Sequence, residues 1–201
     1  MLFCEVTMPP KVKITKSDII QTSISLIRNL GYDALNTRNI AKELDCSTQP
    51  IFSNFASMEE LEKEVFLYTY NIYLSFIESE TLGEKYPKYK AFGMAYIKFA
   101  QEEKELFKLL FMSDRKGKDF IPTNDFDQSI QMIMQANDVP KELATKIHVE
   151  MWAFVHGIAV MLATSFVTFE WTFISDMVTD IYQGLRARHV IKENFNDSNK
   201  N

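Results

Sequence analysis

A chain of 201 residues that is 46% hydrophobic and 24% charged can bury a core in one domain, or in a small module plus a larger one, which excludes an intrinsically disordered protein. Its two cysteines, Cys4 and Cys46, have no paired spacing, which argues against a disulfide scaffold or a structural zinc site and fits a reducing cytoplasm. The formal net charge of −5 excludes a general nucleic-acid coat, yet residues 11–58 carry six Lys and Arg against four Asp and Glu, a mildly basic head on an acidic body.

Residues 1–10 lack the basic start and apolar core of a signal peptide, and Met8-Pro9-Pro10-Lys11 reads as an ordinary alternative start. Residues 1–14 read as an arm. From there the hydrophobic period is helical nearly everywhere, with no run of strand-like alternation. Thr15 with Asp18 three residues on is a capping-box arrangement opening a first helix. Ile20, Ile24 and Ile27 form its stripe, and Gly31 closes it as a left-handed cap. Thr37 is expected to cap a short helix carrying Ile40, Ala41 and Leu44. Asp45-Cys46 makes a tight turn. Ser47 is expected to cap a third short helix, with Ile51, Phe52 and Phe55 inward and Pro50 in the first turn, where a missing N–H costs nothing.

Ser57-Met58-Glu59-Glu60 is a second capping box, opening a long helix to about residue 80. Pro87 opens the next, with Phe92, Tyr96, Phe99, Leu106 and Leu110 on one face. A polar loop over 113–118 follows, then helices over 125–136, 140–166 and 172–187. The most apolar run, 151–163, is broken by His156 and Gly157. It is shorter than the roughly 20 residues a membrane span needs, so it reads as a buried helix. The tail from Lys192 is polar and reads as disordered. The expected fold is all-α: an arm (1–14), a three-helix helix-turn-helix DNA-binding domain (15–57), a helical ligand-binding and dimerisation domain (58–190) and a tail (191–201).

Three short helices with a tight turn between the second and third fit a helix-turn-helix, whose second helix enters the major groove N-terminus first. Those groove-facing residues are Ser47, Thr48, Gln49 and Pro50, then Ser53 and Asn54 one turn later. Gln49 can donate and accept at adenine, and Pro50 can pack on a thymine methyl. Thr37, Arg38 and the lysines Lys11, Lys13 and Lys16 suit phosphates. A polar-capped helical bundle with no DNA role has the same pattern.

The run Gly31-Tyr32-Asp33-Ala34-Leu35-Asn36-Thr37-Arg38-Asn39-Ile40-Ala41-Lys42-Glu43-Leu44 resembles the DNA-binding domain of the TetR/AcrR regulators. The likeness continues through Ser47-Thr48-Gln49-Pro50-Ile51-Phe52-Ser53-Asn54-Phe55 and Met58-Glu59-Glu60-Leu61. Ala95 to Ala100 and Trp152-Ala153-Phe154-Val155-His156-Gly157 resemble a C-terminal ligand domain with a Trp-His-Gly signature. Two positions depart from the family: Phe52 stands where it usually has Tyr and Met58 where it usually has Lys, which removes two phosphate contacts. Phe52 is kept on the DNA face as the position of that contact.

The resemblance implies a ligand-responsive regulator, a repressor by the family's habit, binding a palindromic operator as a homodimer. It places an apolar effector between the fifth helix and those that follow, which nominates Tyr96, Phe99, Phe107, Phe111, Phe126, Met134, Trp152 and His156. It also implies a four-helix seam between subunits, built on Ile158, Met161, Ile174, Met177, Val178, Ile181 and Leu185, although the same stripes could pack within one chain. Two heads held one DNA turn apart, about 34–36 Å, can grip successive major grooves. His148 and His156 lie eight residues apart with no cysteine nearby, so no metal or cofactor is expected. No P-loop, dinucleotide glycine motif, Gly-x-Ser-x-Gly elbow or His-Glu-x-x-His site marks an enzyme. The alternative is a helical dimerisation module that has lost specific DNA binding.

Overall fold

A computed structural model describes residues 14–83, 85–114 and 125–191. The described residues are helices and turns, with no strand among them. The arm up to residue 13, the loop beyond Asp114 and the tail from 192 lie outside them. The chain divides into two compact units, up to Tyr68 and from Thr69 onward, and the boundary falls inside one long helix.

The first unit contains α1 (Lys16–Leu30), a 3-10 turn (Tyr32–Ala34), α2 (Thr37–Glu43), α3 (Gln49–Asn54) and the start of α4 (Met58–Thr81). Its core is Ile19, Ile24, Ile27, Ile40, Ile51, Phe55, Leu61 and Val65, all buried. Each such side chain removed from water contributes about 1.5–3 kcal/mol. The stripe of α1 is set by Ile19 and Ser23 rather than by Ile20, which is half-buried. Ser23 sits in the core because its hydroxyl donates to the Ile19 carbonyl at 2.7 Å.

The caps differ in part from the sequence reading. The Thr15–Asp18 box forms in both directions. Gly31 has φ 84° but ψ 172°, so it uses the positive φ open to glycine without entering the left-handed helical region. Asn36, not Thr37, caps α2: its Oδ1 accepts the Asn39 N–H at 2.9 Å, and Thr37 is already helical. Thr48, not Ser47, stands at the cap of α3, and makes no side-chain cap bond. At α4, Glu60 N–H donates to Ser57 Oγ, but the returning Glu60 carboxylate takes the N–H of Ala56 at 2.6 Å. Phe52 faces outward, 54% exposed, instead of joining Ile51 and Phe55 inside.

The second unit holds the rest of α4, then α5 (Lys88–Glu102), α6 (Lys104–Phe111), α7 (Asp125–Asn137), α8 (Lys141–Ala163) and α9 (Trp171–Arg186), which ends in a wider turn (Ala187–Ile191). One continuous helix was expected to carry Phe92 through Leu110. The chain instead breaks at Glu103 (φ −116°, ψ 54°), and the Phe107 N–H bonds the Glu103 carbonyl to restart as α6. α8 packs against α5, α6, α7 and α9. By length and hydropathy it could cross a bilayer, but Leu143, Ile147, Met151, Ile158 and Leu162 are buried against those neighbours, as a core helix requires.

After three of the helices a residue other than glycine takes the positive φ. Asp45, Asp138 and Ser165 take positive φ of 48°, 53° and 55°. In each case the next N–H reaches back to the helix: Cys46 to Ala41, Val139 to Met134 and Phe166 to Met161. This is the Schellman closure, and an aspartate tolerates its left-handed residue better than most side chains.

An Asn36→Ala change is expected to lower stability by about 1 kcal/mol, by loss of the α2 cap, and Thr37→Ala by clearly less. Urea unfolding of the full chain checks this; equal losses would return the cap to Thr37.

Candidate functional site

The turn between α2 and α3 and the first residues of α3 make the candidate nucleic-acid face. Arg38, Ser47, Gln49, Phe52 and Ser53 are exposed, and Thr37, Thr48 and Pro50 are half-buried. Arg38 forms no ion pair among the described residues, and Gln49 keeps its carboxamide unbonded there. A guanidinium and an amide left without internal partners are available to phosphate and base edges. Ser53 Oγ donates back to the Gln49 carbonyl at 2.9 Å.

Two residues nominated for DNA have internal work. Asn54 Nδ2 donates to the Pro50 carbonyl at 2.8 Å and to the Ile14 carbonyl at 3.4 Å, tying the start of the first unit to α3. Lys16 Nζ lies 3.3 Å from Glu60 Oε1 and 4.8 Å from the Phe55 ring centroid, which couples α1 to the start of α4. Glu60 is held below the ordinary carboxylate range first by the Ala56 N–H and then by Lys16. Burial, with the Glu62 carboxylate beside it, pushes the Tyr32 phenol up to about 12, so it stays a neutral hydrogen-bond donor to Glu62.

The second unit brings most of the nominated sensing residues into one ring network. Tyr96 lies 5.4 Å from Phe107 and 5.0 Å from Phe111, and Phe107 lies 5.1 Å from Phe111, measured between centroids. Trp152 stacks on His156 at 5.1 Å and 14°, and Phe126 meets Trp152 edge-on at 6.0 Å. Phe99 joins through Tyr73, 5.2 Å away. Tyr96 Oη and His156 Nδ1 share a hydrogen bond of 2.9 Å, the polar point of an otherwise apolar cluster. Met134 does not join: it packs on Ile130, Ile133, Leu143, Ala144 and Ile147 instead.

Sequence reading missed three members of this region. Tyr73 connects Tyr96, Phe99 and Phe111; its signal was the α4 spacing of buried Thr69, Tyr70, Tyr73 and Ile77. Tyr89 and His148 form a second couple at 3.0 Å, next to Tyr182 and Phe126. Burial pushes His148 down and Tyr89 up, each toward its neutral form. Among the described residues no three His, Cys, Asp or Glu gather as metal ligands would.

The nominated dimer residues split. Ile158, Ile174 and Val178 are enclosed within their own chain, because α8 and α9 first pack on each other and on α5. Met161, Met177 and Leu185 are half-buried, and Ile181 is exposed. The outer positions of α8 and α9 left open include Val149, Ala153, Gly157 and Phe173, all exposed.

Residues 89–173 match the family profile described as tetracyclin repressor-like, C-terminal domain. A search of curated protein sequences gave no match. Among solved structures, a TetR-like transcriptional regulator from Rhodococcus sp. RHA1 superposes with TM-score 0.64 at 10% identity, over 88% of this chain and 96% of that one. A TetR variant from Acinetobacter baumannii AYE, in complex with minocycline, gives 0.57 at 14% identity, over 88% and 99%. ActR from Streptomyces coelicolor, in complex with (S)-DNPA, gives 0.52 at 17% identity, over 87% and 98%.

The titration of His148 has a sign. Its folded pKa lies below the ordinary 6.5, so the stability it contributes is complete above that value and is lost as pH falls through it toward the folded pKa. Stability is expected to fall as pH drops through the ordinary imidazole pKa of about 6.5 and further below it, with a smaller fall in His148→Asn. Tyr89→Phe, which leaves Nδ1 of His148 unpaired, is expected to cost about 1–3 kcal/mol at neutral pH. Urea unfolding at several pH values reads both.

Proposed function

We propose that the chain is a TetR-family transcriptional regulator, a reading that its C-terminal domain match and its fold support, and that it binds a palindromic operator as a homodimer and is released by a small, largely apolar effector. The observation that carries the DNA reading is the outward face of α3 and its preceding turn, where Gln49, Ser47 and Arg38 stand exposed without side-chain partners among the described residues. Gln49 is the base-reading residue, and Arg38 and Thr37 hold phosphate. With Phe52 in place of the family's tyrosine, that position offers ring contact without a hydroxyl. The family is one of regulators rather than enzymes, and the protein acts in the cytoplasm, where its operator is.

The effector site is the ring network around Tyr96 and His156. A planar apolar molecule would exchange ring contacts with Phe107, Phe111 and Trp152 and place one polar group at the Tyr96–His156 hydrogen bond. Two structural neighbours solved with small molecules, minocycline and (S)-DNPA, support a small-molecule effector. Release follows from a population shift: effector favours a conformer in which the two heads no longer match the operator spacing, and by no more than its differential affinity for the two conformers. α4 begins in one unit and ends in the other, so it is the covalent link available for that change.

Fluorescence anisotropy of the full chain against its own upstream DNA, at two salt concentrations, tests the DNA reading. Gln49→Ala is expected to weaken operator binding by about 1–3 kcal/mol and to narrow the gap to random DNA. Arg38→Ala is expected to weaken both alike and to flatten the salt dependence. Equal, weak binding to operator and random fragments drawn from across the genome would favour the dimerisation module instead. For the seam, Ile181→Glu is expected to give a monomer by sedimentation and to reduce operator affinity with it; an intact dimer would move the interface elsewhere.

A further inference from the structure

A cleft of about 310 Å³ opens between the end of α4, the start and middle of α5, and the first residue of α9. That is the lower end of the range for small-molecule sites. Its floor is apolar: Ala91, Met94 and Ala95, all buried. Two aromatic rings, Tyr86 and Trp171, stand in its walls, both half-buried. None of these residues belongs to the ring network around Tyr96 and His156.

The charges at this cleft are unequal. On one side Lys98 is neutralised, 2.7 Å from Glu80 and 3.7 Å from Glu102. On the other side Lys85 Nζ lies 5.3 Å and Lys90 Nζ 4.9 Å from the Tyr86 ring centroid. Neither ammonium has a carboxylate partner among the described residues. Lys90 is satisfied by neutral hydroxyls, Ser175 Oγ and Thr179 Oγ1, each at 2.7 Å. Lys85 is exposed, and among the described residues it meets the Tyr86 ring alone. Two cations on one aromatic ring with no carboxylate partner among the described residues, in a chain of net charge −5, are a local positive field beside an apolar floor.

We propose that this cleft is a second ligand site, separate from the effector cluster, and that it takes an aromatic carboxylate. The ring lies on Ala91, Met94 and Ala95 between Tyr86 and Trp171. The carboxylate faces Lys85, with Lys90, which does not line the cleft, adding its field 4.9 Å from the Tyr86 ring centroid. The apolar floor disfavours a small inorganic anion, which would lose water there without a hydrogen-bond shell to replace it. The aromatic walls favour a flat body over an alkyl chain.

Calorimetric titration of the full chain with 2-naphthoate and with its neutral analogue, 2-naphthamide, tests this at low salt and neutral pH. The carboxylate is expected to bind at least tenfold tighter than the amide. Lys85→Gln is expected to remove that difference, because Lys85 is exposed and its change leaves the fold intact. Trp171→Ala is expected to weaken both probes, and Trp152→Phe, in the effector cluster, to weaken neither. Equal affinity for acid and amide, binding that Trp152→Phe removes and Trp171→Ala does not, or no heat up to about 5 mM probe would each overturn the proposal.

Discussion

Two hydroxyl–imidazole bonds set the register on which the second unit depends: Tyr89 to His148 at 3.0 Å and Tyr96 to His156 at 2.9 Å. Seven residues of α5 rise about 10.5 Å and eight of α8 about 12 Å, so both couples can close only if the helices run the same way in matched register. Sliding one helix by a turn would break both bonds, and a buried polar group left without a partner costs about 1–3 kcal/mol. Apolar packing alone tolerates such slippage far better, because Leu, Ile and Met contacts are interchangeable. The remaining helices attach to this pair. α6 places Phe107 beside Tyr96 and His156, α7 places Phe126 beside His148, and α9 places Tyr182 beside Tyr89. Asn137 then fastens α7 to α9 by donating to Tyr182 Oη at 2.9 Å.

The helices themselves were legible because their signals are local. Thr15 with Asp18, the turn at Asp45, Pro50 in a first turn and Ser57 with Glu60 all act within four residues. The misses are of two kinds. Asn36 and Thr37 are both good capping residues, and only the backbone (Asn36 at φ −150°, ψ 158°) decides between them. The break at Glu103 has no glycine or proline to announce it; the stripe through Leu106 and Leu110 continues because α6 resumes nearly the same face. Burial within one chain or between two was not legible at all: Ile158 and Ile181 lie on stripes of the same period, yet one is enclosed and the other open. Period reports that a face is covered, not by what.

The head shows how one residue type serves two purposes. Lys16, Asn54 and Gln49 are all polar residues that could meet DNA, and sequence treats them alike. In the fold, Lys16 and Asn54 bind Glu60, Phe55 and the Ile14 and Pro50 carbonyls, so they position α3 against α1 and α4. Gln49 and Arg38 are left facing outward. A stable mounting and a reading face need different residues, because an amide whose protons are committed to carbonyls cannot also offer them to a base. The proposed reading therefore concentrates on fewer side chains than the sequence pattern named.

The Trp-His-Gly run divides by the same logic. Trp152 has an internal reason, its stack on His156, and His156 has one in Tyr96. Gly157 has none among the described residues: a Cβ placed there would meet no atom within 4 Å beyond its own helix turn. A glycine in a helix interior costs roughly 0.5–1 kcal/mol relative to alanine, and no close approach among the described residues offsets it here. Ala153, one turn earlier on the same exposed face, is small as well. Two small residues a turn apart let another helix approach closely along α8, and with Val149 and Ile181 they form the outer surface on which the proposed second copy would pack. In the proposed assembly the glycine would set how close the second copy's helix can come, as His156 and Tyr96 set the approach of α8 to α5 within the protomer.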